Sequence, residues 1–199
     1  MFSQDSALLI VDLQSDFCAG GALAVPDADA VVAPINRLAA AAAAAGCPVF
    51  ASRDWHPAGS PHFAGHGGAW PVHCVQDTPG AGFHPALHLP AGAQVVTKGD
   101  SPDDPHGYDA FDGHLDDGTP LATALQAAGV KTLFVTGLAT DYCVKNSVWG
   151  ARRAGFDVRL VAEATRAVNL QPGDGAAALA DMMASGARVV RVEDVVGKP

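Results

Sequence analysis

Positive charge is scarce in this chain. Twelve Lys and Arg stand against twenty-one Asp and Glu, a formal charge of -9, and the pI lies near 5.1. That balance has the wrong sign for wrapping a phosphate backbone or lying on an anionic membrane surface, so neither nucleic acid nor membrane is an expected partner. Long hydrophobic runs are missing too, since no stretch approaches the roughly 18 apolar residues that span a bilayer. Residues 1–5 carry no basic segment ahead of the short apolar run 7–11, so no secretory leader is expected and a cytoplasmic location is. Cysteine is sparse: Cys18, Cys47, Cys74 and Cys143 show no CxxC spacing, so nothing points to a zinc knuckle or a disulfide framework and reduced thiols are the default. Internal repeats and a dividing linker are also absent, and residues 1–199 are expected to form one domain.

What the chain does have is core-forming material, with 49% hydrophobic and 17% charged residues, the composition of a compact domain. Apolar runs of strand length recur at 7–11, 48–52, 94–97, 132–136, 158–161 and 188–192. They read as strands buried on both faces. Helical patterns lie between several of them, at 29–45, 120–128, 141–154 and 173–185, with Gly46, Gly129, Gly155 and Gly186 placed as C-terminal stops. Pro34 is tolerable only near the first turn of its helix, where its missing N–H would have lacked a partner anyway. The alternation predicts an α/β fold of three layers, α/β/α, around a doubly wound, six-stranded, mainly parallel sheet.

Two stretches break the pattern. Residues 54–92 hold six prolines, seven glycines and six of the eight histidines, and a loop that long needs a function or a bound ion to order it. Residues 99–118 are acidic and rich in turn formers.

In an open parallel sheet, ligands bind beyond the carboxyl ends of the strands. Asp12, Asp54 with His56, Lys98 and the segment 139–143 follow the first four strands, which brings a carboxylate, a metal-type cluster, an ammonium and a thiol to one edge. Cys143 falls in the first turn of a helix that Thr140 or Asp141 would cap, where the helix N-terminus and a nearby Lys98 would favour the thiolate. Asp12 could take the thiol proton, and the amides of Ala139 and Cys143 are natural oxyanion donors. Singly, each reads more readily as an inert buried cysteine, a solvated lysine or a structural cap; together at one edge they read as a cysteine acyl-transfer site. Asp54, His56, His62 and His73 offer one oxygen and three nitrogens, a set that suits Zn, Fe or Mn without choosing among them. As a metal set or as polar decoration, they are evenly balanced on spacing alone. His66, His84, His88, His106 and His114 read as surface decoration.

The motifs resemble those of the nicotinamidases (pyrazinamidases) of the isochorismatase-like cysteine hydrolase superfamily. Val11-Asp12-Leu13-Gln14-Ser15-Asp16-Phe17 with Gly20-Gly21 resembles the opening motif. Arg53-Asp54-Trp55-His56, His62-Phe63 and Trp70-Pro71-Val72-His73-Cys74 resemble the metal segment, Lys98-Gly99 the lysine motif, and residues 137–144 the nucleophile elbow. The resemblance implies a metal-dependent amidohydrolase of NAD salvage that converts nicotinamide to nicotinate and ammonia, and pyrazinamide to pyrazinoate, through a thioester. It matches Asp12, Lys98 and Cys143 to the catalytic triad, and Asp54, His56, His62 and His73 to the ligands of one divalent metal, zinc first, which orients the substrate by its pyridine nitrogen. Phe17, Trp70, Tyr108, Leu138 and Ala139 match substrate-facing positions, with a cis peptide before Ala139. Tyr142 departs from relatives that carry His there. Rival readings are an amidase for another small amide, whose relatives generally lack the full metal set, and a non-catalytic metal-binding module. Isochorismate hydrolysis fits less well, because isochorismatases do not depend on a cysteine nucleophile. Whether the protein is a monomer or a homo-oligomer is left open.

Overall fold

The computed structural model describes residues 1–102 and 107–197; His106 lies outside them. Six strands form one sheet: β1 (Ser6–Val11), β2 (Val49–Asp54), β3 (Gln94–Lys98), β4 (Thr132–Leu138), β5 (Asp157–Arg166) and β6 (Arg188–Val190). Their order is β3-β2-β1-β4-β5-β6, and every strand pairing is parallel. The order reverses beside β1, which is where a doubly wound sheet opens a crevice for ligands.

Each strand face has its own cover. Leu8 and Ile10 of β1 pack into a core shared with α1 (Val32–Ala44) and α5 (Val192–Val196), whereas Ala7, Leu9 and Val11 pack into one shared with α2 (Leu121–Ala127), α3 (Lys145–Arg153) and α4 (Asp174–Ala184). Alternate side chains of a strand point to opposite faces, so a strand apolar at every position must be covered on both sides. Pro34 is the third residue of α1, within the first turn, and the alanine run ends at Gly46, whose φ of 71° is easy only for glycine. Among the described residues no helix is long and apolar enough to cross a membrane.

The expected run 188–192 is corrected at its end. β6 stops at Val190 and Val192 opens α5, because the Asp194 carboxylate accepts from the Arg191 backbone N–H and guanidinium and turns the chain into a helix. Valine recurs on both sides of Arg191, so apolar content does not distinguish strand from helix there. β2 and β3 each run further than expected, taking in Asp54 and Lys98 as their last residues.

β4 runs tight against β1 at Gly137. This residue pairs with Val11, has a φ of 110°, and a Cβ there would lie 2.0 Å from the Val11 carbonyl oxygen. Gly129 also has a positive φ, 72°, but faces open space. Gly137→Ala is therefore expected to lower the unfolding free energy by more than about 3 kcal/mol, and Gly129→Ala by only about 1 kcal/mol. Urea denaturation followed by circular dichroism checks the difference.

Candidate active site

The sheet register assembles the polar centre. Asp54 and Lys98, the last residues of β2 and β3, are direct parallel neighbours. Asp12 follows β1 with a φ of 47°. Lys98 is 1% exposed, and its Nζ lies 2.8 Å from Asp12 Oδ2, donates to Asp54 Oδ1 and to the Gly107 carbonyl at 2.6 Å, and is 3.8 Å from Cys143 Sγ. A buried ammonium without partners would lose its proton. Burial does oppose the charge here, but Asp12 and Asp54 outweigh it and hold Lys98 protonated.

The two carboxylates respond differently. Burial raises the Asp12 carboxyl above its ordinary range, Lys98 opposing and Asp54 adding to the shift. Burial acts on Asp54 as well, yet Lys98 and His56 overcome it and hold that carboxyl well below the usual range. An aspartate with a raised pKa is the better proton acceptor of the pair. Gln14, wholly buried, supports Asp54 from behind. Its Oε1 accepts the Asp54 N–H at 2.8 Å, and its Nε2 donates to the carbonyls of Asp54 and Ala81, both at 2.8 Å.

Cys143 sits in a π-helical turn, Thr140–Val144, that precedes α3, and the peptide Leu138–Ala139 is cis. Neither Thr140 nor Asp141 caps the turn. The Asp141 carboxylate instead accepts the N–H groups of Val168 and Asn169, at 2.9 and 2.8 Å, tying the turn to the segment after β5. The expectation of a thiol poised as thiolate is also corrected. Burial pushes the Cys143 thiol well above its ordinary range, with the Lys98 ammonium opposing the shift and Asp12 and Asp54 adding to it. The sulfur is thus held as a thiol, with Asp12 and Asp54 oxygens and Sγ all within 4.8 Å of one another.

His56, His62 and His73, all buried, present ring nitrogens within 4.8 Å of one another. Asp54 joins them through Oδ2, 3.6 Å from His56 Nε2. His56 Nδ1 meets the Gly99 carbonyl at 3.0 Å, and His73 Nδ1 meets the Pro71 carbonyl at 2.8 Å. Each Nδ1 must donate, which leaves Nε2 as the free lone pair, the arrangement that metal-binding histidines use. Among the described residues, His56 Nε2 is buried with no hydrogen-bond partner, a costly state unless an ion satisfies it. Burial also holds His73 below its usual pKa and so neutral, as ligation requires. These residues fit a divalent metal. A Cβ at Gly99 would come within 2.6 Å of the His56 ring, so the residue after Lys98 has to be glycine for that ring to sit there.

The loop carrying these histidines is ordered by hydrogen bonds. The Asp16 carboxylate accepts the Cys74 N–H at 2.7 Å, the His56 N–H donates to the Cys74 carbonyl at 2.9 Å, and Asn36 bonds to Ala86 and His88, both at 2.8 Å. Of the other described histidines, His66 and His88 are exposed, His84 pairs with Asp29 at 3.5 Å and His114 with Asp100 at 3.1 Å, all away from the pocket.

A pocket opens over this centre. The expected residues Phe17, Trp70, Tyr108, Leu138 and Ala139 all line it, with Asp54, His62, His73 and Cys143. Trp70 Nε1 donates to the Tyr108 hydroxyl at 2.7 Å, and Tyr142 packs edge-on against Trp70, centroids 5.0 Å apart. Flat aromatic walls with a few polar groups at one end suit a small heteroaromatic ligand. Sequence reasoning missed Leu23, Val25 and Val168, which complete the apolar wall; their isolated positions in loops carry no periodic signal. It also missed the support from Gln14, although Gln14 lies inside the opening motif.

Lys98→Met would leave Asp12 and Asp54 buried with no cation, and removing one partner of a buried ionic cluster costs about 3–5 kcal/mol. Without Lys98 the Asp12 carboxyl, already raised by burial, would sit further above its unfolded pKa. Stability is then present at low pH and lost as pH rises. Urea denaturation of chelator-treated protein is expected to show the full loss at neutral pH and a smaller loss in mild acid.

Comparison with known proteins agrees with this geometry. A family model described as the isochorismatase domain matches residues 6–194. The nicotinamidase of Escherichia coli is 42% identical over 207 residues, covering 94% of this chain and 95% of the relative. The nicotinamidase/pyrazinamidase of Mycobacterium tuberculosis is 40% identical over 166 residues, 82% and 87% of the two chains. A pyrazinamidase of Pyrococcus horikoshii, solved in complex with zinc, superposes with a TM-score of 0.86 at 38% identity, covering 94% of this chain and 99% of its own. The chain therefore belongs to the isochorismatase family and stands among its nicotinamidases and pyrazinamidases.

Proposed function

We propose that this protein hydrolyses nicotinamide to nicotinate and ammonia, and pyrazinamide to pyrazinoate, through a thioester on Cys143. The observation that carries the reading is the Lys98 ammonium, which joins a thiol and an acceptor carboxylate to a buried histidine cluster beneath an aromatic pocket. Likeness to nicotinamidases at 40–42% identity supports the substrate. We read residues 1–199 as one domain acting in the cytoplasm, in the salvage of nicotinamide for pyridine nucleotide synthesis.

As the Cys143 sulfur attacks the carboxamide carbon, its proton passes to Asp12 and the carbonyl π pair moves onto oxygen. The amides of Ala139 and Cys143 receive that oxyanion. Collapse reforms the carbonyl and breaks the C–N bond, Asp12 returning the proton to the nitrogen so that neutral ammonia departs. A water then gives a proton to Asp12 and attacks the thioester; collapse breaks the C–S bond, Asp12 returns that proton to the sulfur, and the acid gives up its remaining proton to solvent as it leaves as nicotinate. Lys98 keeps Asp12 in place and balances its charge. Trp70, Tyr108 and Phe17 hold the ring flat. Asp54, His56, His62 and His73 would hold the divalent metal, zinc by analogy with the Pyrococcus relative, and when bound it supplies a Lewis-acid anchor for the pyridine nitrogen. Keeping the thiol protonated until a substrate fills the pocket limits its side reactions, since the thiolate is the reactive form.

Ammonia release from nicotinamide by metal-loaded protein is expected, and Cys143→Ala is expected to abolish it; equal release from both proteins would refute the thioester. Elemental analysis is expected to find about one transition metal per chain, and almost none in the double variant His56→Ala, His73→Ala. Retained metal in that variant would remove those histidines from the ligand set.

A further inference from the structure

The proposed base, Asp12, is gripped by a residue outside every motif noted in the sequence. Ser52 lies on β2, two residues before Asp54, and is wholly buried. Its Oγ accepts the Asp12 N–H at 3.3 Å and its hydroxyl donates to Asp12 Oδ1 at 2.7 Å. The Asp12 N–H is also within 3.2 Å of the Ser52 carbonyl. A serine hydroxyl has a single proton, and here that proton is committed to Oδ1.

The other oxygen, Oδ2, is different. It is buried, faces the Lys98 ammonium at 2.8 Å, and receives no aligned hydrogen bond among the described residues. One oxygen of the carboxylate is thus occupied by a hydroxyl donor, and the other faces only the ammonium, which itself lies 3.8 Å from Cys143 Sγ.

We infer that Ser52 is a positioning residue for the reaction: it fixes the plane of the Asp12 carboxyl and reserves Oδ2 as the atom that takes and returns the Cys143 proton. The inference rests on the nicotinamidase reading for its kinetic test. A shuttling carboxyl alternates between carboxylate and acid, and its orientation has to survive both states. The Ser52 hydrogen bond does so, because Oδ1 accepts equally as part of a carboxylate or as the carbonyl oxygen of an acid whose proton is on Oδ2. Were the hydroxyl absent, the acid could rotate to point its O–H away from the sulfur and the substrate nitrogen. Misplacing a reacting group by about 1 Å can cost about a hundredfold in rate.

The test compares Ser52→Ala and Ser52→Thr. Ser52→Ala keeps the backbone bond to Asp12 and all pocket and histidine residues, so KM for nicotinamide, metal content and far-UV circular dichroism are expected to stay at wild-type values while kcat falls about 100-fold. Ser52→Thr keeps the hydroxyl and is expected to restore kcat to within about fivefold of wild type. A kcat within about threefold of wild type in Ser52→Ala, or an equal loss in both variants, overturns the inference. A crystal structure of Ser52→Ala reads it without substrate: a rotated Asp12 carboxyl supports the inference, and an unchanged one overturns it. Should the wild type release no ammonia from nicotinamide, the functional reading fails, and the crystal structure alone decides the role of Ser52.

Discussion

Everything at the sheet's carboxyl edge depends on one buried cation. Lys98 has two carboxylates, a carbonyl and a thiol around its ammonium and almost no contact with water. Taken out of solvent, Asp12 and Asp54 would repel each other, and one or both would be neutralised by a proton. The ammonium allows one of them to stay firmly ionised for the histidine cluster and the other to sit higher, suited to proton transfer. Two chemically distinct aspartates thus come from one lysine placed asymmetrically between them.

That placement is a consequence of parallel pairing. Asp54 and Lys98 meet because β2 and β3 end in register, and Asp12 meets both because β1 lies next to β2. The close approach of β4 to β1 at Gly137 then brings the turn holding Cys143 to the same point. Four strands contribute one group each, and the hydrogen bonds of the sheet hold them within hydrogen-bonding and van der Waals reach. Loops would not hold such a spacing alone. The long segment between β2 and β3 behaves as part of this framework, since Gln14, Asp16 and Asn36 anchor it at several points.

Much of this was legible in the chain. The five strands other than β6 overlap the mostly apolar runs at 7–11, 48–52, 94–97, 132–136 and 158–161, and helices stop at Gly46, Gly129, Gly155 and Gly186, all with positive φ. Asp12, Lys98, Cys143 and the Asp/His set could be nominated because a parallel sheet gathers the residues that follow its strands. Less legible was the sheet edge at Val190 to Val192, where valine serves strand and helix alike. The state of the Cys143 thiol is not legible there, because a helix N-terminus and a lysine can be seen in sequence, whereas full burial beside two carboxylates cannot.

Neighbours in the chain carried the layer order, the places where helices end and the identity of the reactive groups, since hydrophobic period and glycine position are local properties. The folded molecule alone established which oxygen of Asp12 faces the ammonium, which nitrogen of His56 and His73 is free, how Gln14 and Ser52 hold the aspartates, and why the thiol keeps its proton. Those properties follow from distances of a few ångströms between residues remote in the chain and from the exclusion of water around them, and both arise only when the strands close together.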